Sequence, residues 1–213
     1  MKKLLIVLGG LIAIFIFFVI IVAGIGVGGY NRLNADNQNV NSKWAQVQND
    51  YQRRADLVPN LVNTVSGAAN FEKSTLTDIT EARASVGKVN INPNVAPADA
   101  NTLAQFDKAQ GQLSSALSRL LVVVERYPDL KANANFRDLQ AQLEGTENRI
   151  AVARRDFNDA VQSYDTRLKS FPTVLYASAV GFKEKPYFTA TPGSETAPKV
   201  NFDFNSKAPA AKP

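Results

Sequence analysis

LLIVLGGLIAIFIFFVIIVAGIGVGGYNRLNADNQNVNSKWAQVQNDYQRRADLVPNLVNTV, residues 4–65, is the stretch on which the fold turns. Between Lys3 and Arg32 no charge occurs, and residues 4–22 are Leu, Ile, Val and Phe apart from Gly9, Gly10 and Ala13. About 20 such residues, rising ~1.5 Å each, cross a hydrocarbon core of ~30 Å. Inside that core every backbone N–H and C=O must be bonded within the segment, so the segment is read as a helix. A cleaved secretory signal has an apolar run of about 7–15 residues followed by a small-x-small site. The run here is longer and Val22-Ala23-Gly24 fits such a site poorly, so a retained anchor is expected, with Tyr30 at the far interface.

Past Tyr30 the period changes. Leu33, Val40, Trp44, Val47, Tyr51, Val58, Val62, Val65 and Ala69 recur mostly at spacings of 3, 4 and 7, and the pattern continues through Leu76, Ile79 and Val86. That is one amphipathic stripe without strand-like alternation. Pro59 lies within it and should kink the helix or divide it. The stretch GKVNINPNVAPA at 87–98 reads as a loop. A second stripe follows (Leu103, Phe106, Leu113, Leu117, Leu120, Leu121, Val124) and stops at Tyr127-Pro128. A third (Phe136, Leu139, Leu143, Ile150, Phe157, Val161, Tyr164, Leu168) stops at Phe171-Pro172. Asn133 or Asn135 is placed to cap it, Asn135 with Asp138 as a capping-box-like partner.

The expectation is therefore an all-α chain: an N-terminal transmembrane helix followed by an antiparallel bundle of about three or four long helices, the first kinked at Pro59. The divisions are an anchor at 1–29, the bundle at 30–172, an apolar extension at 173–190, and a disordered Pro/Ala/Lys-rich tail at 191–213. The extension either packs on one end of the bundle, which is the expectation, or touches the bilayer. Within the tail, VNFDF at 200–204 alternates and could dock as a short extended piece.

Composition removes several chemistries. The chain has neither cysteine nor histidine, so there is no thiol nucleophile or thiolate site, and the commonest general base and zinc ligand are missing. Ferritin-like di-iron sites need Glu-x-x-His, which this chain cannot build. The glycines of the apolar segment carry no phosphate-loop meaning. Two of the +5 formal charges are Lys2 and Lys3, and no basic cluster suggests nucleic acid as a partner. No catalytic residue, cofactor or metal ligand is expected. Lys2 and Lys3 slightly outweigh Arg32 and Lys43 across the span, which favours a cytoplasmic N-terminus with the bundle outside. Gly24 and Gly28 form a GxxxG that could bring two helices together, although glycines at 24, 26, 28 and 29 also read as a flexible exit from the membrane.

Several blocks along residues 1–190 together resemble the LemA family. They are YNRL at 30–33, Trp44, RRADLVPNLV at 53–62, Phe71-Glu72, Ala82-Arg83, ERYPDLKAN at 125–133, ARRDFN at 153–158, Phe171-Pro172 and Gly181-Phe182. Phe157 departs from the Tyr often found there. The resemblance implies a bacterial membrane protein with a largely α-helical, bundle-like domain, and it implies no enzymatic reaction; with the charge bias across the span, the expected location is the inner membrane with the bundle outside.

Among the charged residues, Glu72, Arg83, Glu125, Glu147 and Arg154 fall on or beside the apolar stripes. Burial there is tolerable only in pairs. They are candidates for a salt-bridge network that fixes helix register, or for a polar groove that binds a partner. Trp44 and Tyr51 are read as core aromatics, and Asn37 as a polar interruption able to set register if buried. Three functions are weighed: a non-enzymatic scaffold for envelope or membrane proteins, a homo-oligomeric membrane-shaping protein, and a hydrolase using carboxylates such as Glu72 and Glu147.

Overall fold

The computed structural model describes residues 2–67, 71–89 and 91–189, with side chains from Leu8 onward. Ala69, the tail at 191–213 and its VNFDF stretch lie outside the described residues. Among those described there is no strand. The order is α1 (Lys2–Ser66), α2 (Lys73–Lys88), α3 (Ala100–Val124), a short α4 (Pro128–Ala132), α5 (Ala134–Lys169) and a 3-10 turn, Thr173–Leu175.

Salt bridges set the directions. Asp36–Arg167, Lys43–Asp156 (3.2 Å) and Arg54–Glu147 (2.6 Å) run in opposite sequence order, so α1 and α5 are antiparallel. Asp78–Arg119 (2.8 Å) and Glu72–Arg126 (2.8 Å) make α2 antiparallel to α3. Trp44 and Tyr51 meet the ring of Phe106 while Arg54 reaches Gln110 and Ser114, so α1 and α3 run the same way. The bundle is thus up-down-up-down, with α1 and α5 as its long pair.

The apolar part of α1 is exposed throughout. Large apolar side chains from Leu8 to Val22 lie exposed, and this is the helix long and apolar enough to cross a membrane. Of the two expectations at Pro59, a kink or a division, division does not occur: the helix continues to Ser66, and α2 begins at Lys73. A physical reason is visible. Pro59 has no N–H for the carbonyl of Ala55, and Arg83 of α2 supplies one, its Nε donating to Ala55 O at 3.1 Å.

Caps punctuate the rest. Asp99 accepts from the Thr102 N–H (2.8 Å) at the start of α3, and Asn133, rather than Asn135, accepts from the Phe136 N–H (3.3 Å) at the start of α5. Pro128 sits in the first turn of α4, where a missing N–H costs nothing.

The core falls into two clusters. One surrounds Trp44, whose ring meets Phe106 (5.3 Å), Phe157 (5.6 Å) and Phe188 (6.2 Å). The loop before α3 lies against this hub: Trp44 Nε1 donates to Asn92 O at 3.1 Å, and Asn41 Oδ1 accepts from the Ala96 N–H at 3.0 Å. The other cluster joins Leu57, Val58, Leu61 and Val65 to Ile79, Leu113, Leu120 and Phe136.

Past α5 the chain returns along the bundle as an extended strap. Asn158 clamps Phe188 twice, its Oδ1 accepting from the backbone N–H and its Nδ2 donating to the carbonyl, both at 2.9 Å. Tyr164 Oη donates to Lys183 O (2.9 Å), and Asp165 Oδ1 accepts from the Lys185 N–H (3.2 Å).

Candidate functional site

Between the two core clusters lies a charged layer. Its centre is Arg54, only 1% exposed. On α1 it stands three residues after Tyr51 and four before Val58, a position where the stripe would otherwise carry an apolar side chain. The same level on α3 is Gln110, between Phe106 and Leu113, and on α5 it is Thr146, between Leu143 and Ile150; both are buried. Three helices therefore break their apolar stripes at one height.

The guanidinium is held on several sides. Nη1 donates to Glu147 Oε1 and Ser114 Oγ, each at 2.6 Å. Nη2 donates to Gln110 Oε1 (2.5 Å) and to the Gln110 carbonyl (3.1 Å). Its carbon lies 5.0 Å from the Tyr51 ring centroid, while Nε is buried without a partner. A planar fork with donors at fixed angles suits this arrangement, and a lysine ammonium does not.

Two further pairs extend the layer. Asp50, buried on α1, accepts from Gln46 Nε2 (3.1 Å) and faces Arg149 Nε at 3.6 Å; Arg149 Nη2 donates to Thr146 Oγ1 at 2.8 Å. Arg154 Nη1 donates to Asp107 Oδ1 (2.7 Å) and to Tyr51 Oη (3.3 Å), and its guanidinium caps the Phe188 ring at 4.4 Å. Burial pushes the Tyr51 hydroxyl above its usual pKa, partly offset by Arg154. Arg54, Arg149 and Arg154 are thus balanced by Glu147, Asp50 and Asp107.

Of the five charged residues singled out in the sequence, two meet here. Glu147 is the partner of Arg54, and Arg154 is the partner of Asp107. The other three do not join them. Glu72 pairs with Arg126 at the surface, Glu125 pairs with Lys131 (2.5 Å) at the surface, and Arg83 serves the Ala55 carbonyl. Asn37 is half-exposed beside Tyr30 and Asn34. The sequence reading missed Arg54, Gln110 and Thr146. The available signal was positional: each fills a gap in its helix's 3-4 spacing.

Chemically the layer is a closed set of donors and acceptors. Its one buried orphan is a guanidinium N–H, and its carboxylates are already paired with arginines. No group of three or more acidic residues able to hold a metal occurs among the described residues.

Against known proteins, the sequence matches the model of the LemA family over residues 43–202. It is 25% identical to Protein LemA of Metamycoplasma hominis over 181 residues, covering 83% of this chain and 78% of that one. It is 34% identical to Magnetosome protein MamQ 2 of Paramagnetospirillum magneticum over 88 residues, or 41% of this chain and 32% of that protein. Magnetosome protein MamQ of Magnetospirillum gryphiswaldense is 32% identical over a stretch of the same extent. The match thus spans about a third of the length of these magnetosome relatives.

Proposed function

The chain belongs to the LemA family, and from that premise we propose that it is a non-enzymatic, membrane-anchored scaffold that holds envelope or membrane proteins at a set height above the bilayer. The observation that carries this reading is the continuity of α1: one helix, Lys2–Ser66, is both the exposed apolar segment and the central strand of contacts in the bundle. The part from Tyr30 to Ser66 rises roughly 55 Å at ~1.5 Å per residue. A helix braced along that length by α5 transmits position from the membrane to the far end. The charged layer suits the same role, because Arg54 finds its partners on α3 and α5 in one register only.

Orientation follows the same proposal: Lys2 and Lys3 on the cytoplasmic side of the inner membrane, and the bundle outside. The hydrolase alternative draws little support, because Glu72 and Glu147 are each bound to a separate arginine in different parts of the bundle.

Crosslinking in cells from photoreactive residues near Arg119 and Lys131, at the far end, should capture an envelope or membrane protein. A Gly-Ser linker inserted between Gly29 and Tyr30 should keep anchor and bundle intact while abolishing that capture. If the unmodified chain yields no such crosslink, the scaffold reading fails.

A second reading, side-by-side assembly that shapes or organises a membrane, has one observation in its favour. A Cβ built on Gly24 or Gly28 meets nothing within 4 Å, so neither glycine of the GxxxG is used for close packing within the chain. The magnetosome names of two relatives are compatible with such a role. Size in mild detergent tests it: a strict monomer at high concentration, unchanged by G24L/G28L, removes it.

A further inference from the structure

After α5 the chain makes a short loop, residues 170–181, that comes back beside α1 where α1 leaves its apolar segment. Three contacts fix the level. The Tyr176 hydroxyl lies over Gly29, so close that a Cβ there would fall 2.0 Å from it. The rings of Tyr30 and Phe182 are 5.5 Å apart. Phe171, Pro172 and Thr173 face Ile25 and Gly28 across a groove of about 540 Å³.

The loop buries Thr173 and Ala177 and turns its larger apolar side chains outward. Thr173 is buried, and its carbonyl accepts from the N–H groups of Tyr176 and Ala177. Phe171 is 80% exposed and Leu175 73%, with Val174 and Val180 about half exposed. In water, such a cluster on one short loop marks an interaction surface. Its position says what covers it. The exposed apolar surface of α1 continues to Ile25, which itself lines the wall of the same groove. Counted from residue 4, about 20 residues bring α1 to the edge of the hydrocarbon near residue 23. The headgroup layer adds roughly 5–8 Å per side, or about four or five helical residues. The loop lies beside those residues. Farther from the apolar segment, the groove wall carries Arg32, Ser163 and Thr166. Arg32 is exposed and makes no ion pair among the described residues.

We propose that residues 171–180 are a second membrane foot: Phe171, Val174 and Leu175 enter the lipid interface beside α1, and Arg32 meets a lipid phosphate. One helix crossing a bilayer leaves a bundle free to tilt about its exit point. Two points of contact hold it upright. The inference rests on the membrane-anchored reading, and its test separates the two.

The chain contains no cysteine, so a single introduced one is labelled uniquely. The full chain carrying L175C, F15C or V152C is labelled with an environment-sensitive fluorophore in liposomes of phosphatidylethanolamine and phosphatidylglycerol. Iodide quenching at 175 should be several-fold weaker than at 152, on the open flank of α5, and nitroxide lipids labelled near the glycerol should quench 175 while deep ones quench 15. If 175 behaves like 152 while 15 stays shielded, the foot is overturned and the anchor stands. If 15 is also open to iodide, the membrane reading falls and the foot with it. A label-free measurement guards against the fluorophore entering on its own: unlabelled chain with phospholipids carrying a diazirine near the ester should give adducts on Phe171 to Leu175 as well as on α1. Adducts confined to α1 would overturn the foot.

Discussion

At the scale of single residues, Arg54 is the most consequential side chain in the bundle. Emptying a fully buried site and leaving its hydrogen-bond partners desolvated typically costs about 2–5 kcal/mol. Arg54→Ala would strand Gln110 and Ser114 and leave a void, so a loss in that range is expected, equivalent to roughly 10 °C in Tm at ~2–4 °C per kcal/mol. Arg54→Lys keeps the charge but cannot fork between Glu147 and Gln110, and should recover less than half of the loss. Arg54→Met, which keeps the volume and drops the charge, should destabilise less than Arg54→Ala, since Glu147 is 46% exposed and can turn to water. Thermal unfolding of the three variants in one detergent checks the order. Asp165 behaves in the opposite sense. Burial raises its pKa above 3.8, against the hydrogen bond from the Lys185 N–H. The folded state then binds the proton more tightly than the unfolded one, so the contribution of Asp165 to stability is fully present below 3.8 and is lost as pH rises through the raised folded value. Asp165→Asn keeps the acceptor for Lys185 and removes the buried charge. It should be more stable than the parent at neutral pH and lose this part of the acid-range dependence, as urea unfolding at several pH values would show.

Among the elements, α1 and α2 are joined by a bond that exists because of a proline. Arg83 docks on the Ala55 carbonyl that Pro59 leaves free. The pair therefore predicts a coupling. Arg83→Ala should cost about 0.5–1.5 kcal/mol in the parent, the usual worth of such a bond. In a Pro59→Ala background it should cost clearly less, because the new N–H at 59 takes the same carbonyl. A double-mutant cycle measures the difference, and additive effects would show that the two do not share it. The strap depends in the same way on Asn158, whose amide both donates to and accepts from Phe188. Asn158→Ala should raise hydrogen exchange across 182–188 well before it changes exchange in α5, because the strap opens locally while the helix pair stays closed.

The whole molecule divides into a part that needs a bilayer and a part that does not. Among the described residues, the side chains of the apolar segment contribute nothing to either core cluster. Deleting residues 1–26 should accordingly leave a helical domain that is soluble without detergent, its Tm within a few degrees of the full chain's, checked by circular dichroism. Within that domain the charged layer separates two apolar clusters that differ in character, one centred on Trp44 and strapped by the C-terminal segment, the other mainly aliphatic around Phe136 and capped by α4. The layer costs desolvation and contributes register: a slide of α5 along α1 by one heptad keeps apolar contact with apolar surface but takes Glu147 away from Arg54.

The sequence by itself determined the helices and the exposed apolar segment, because both follow from local period and composition: 3-4 spacing along Leu33, Trp44 and Tyr51, and an uncharged run before Arg32. It also located the break between α2 and α3, though α2 runs two residues into the expected loop, to Lys88, and the stops before Pro128 and Pro172, which depend on backbone restrictions of single residues. Only the tertiary structure decided that Pro59 leaves α1 in one piece, that Glu147 and Arg154 belong together while Glu72, Arg83 and Glu125 do not, and that Arg54 is the centre of their layer. Each of these depends on which atoms of a distant helix lie opposite. A gap in an apolar stripe is visible in one dimension, whereas the groups that fill it come from 56 to 93 residues away along the chain.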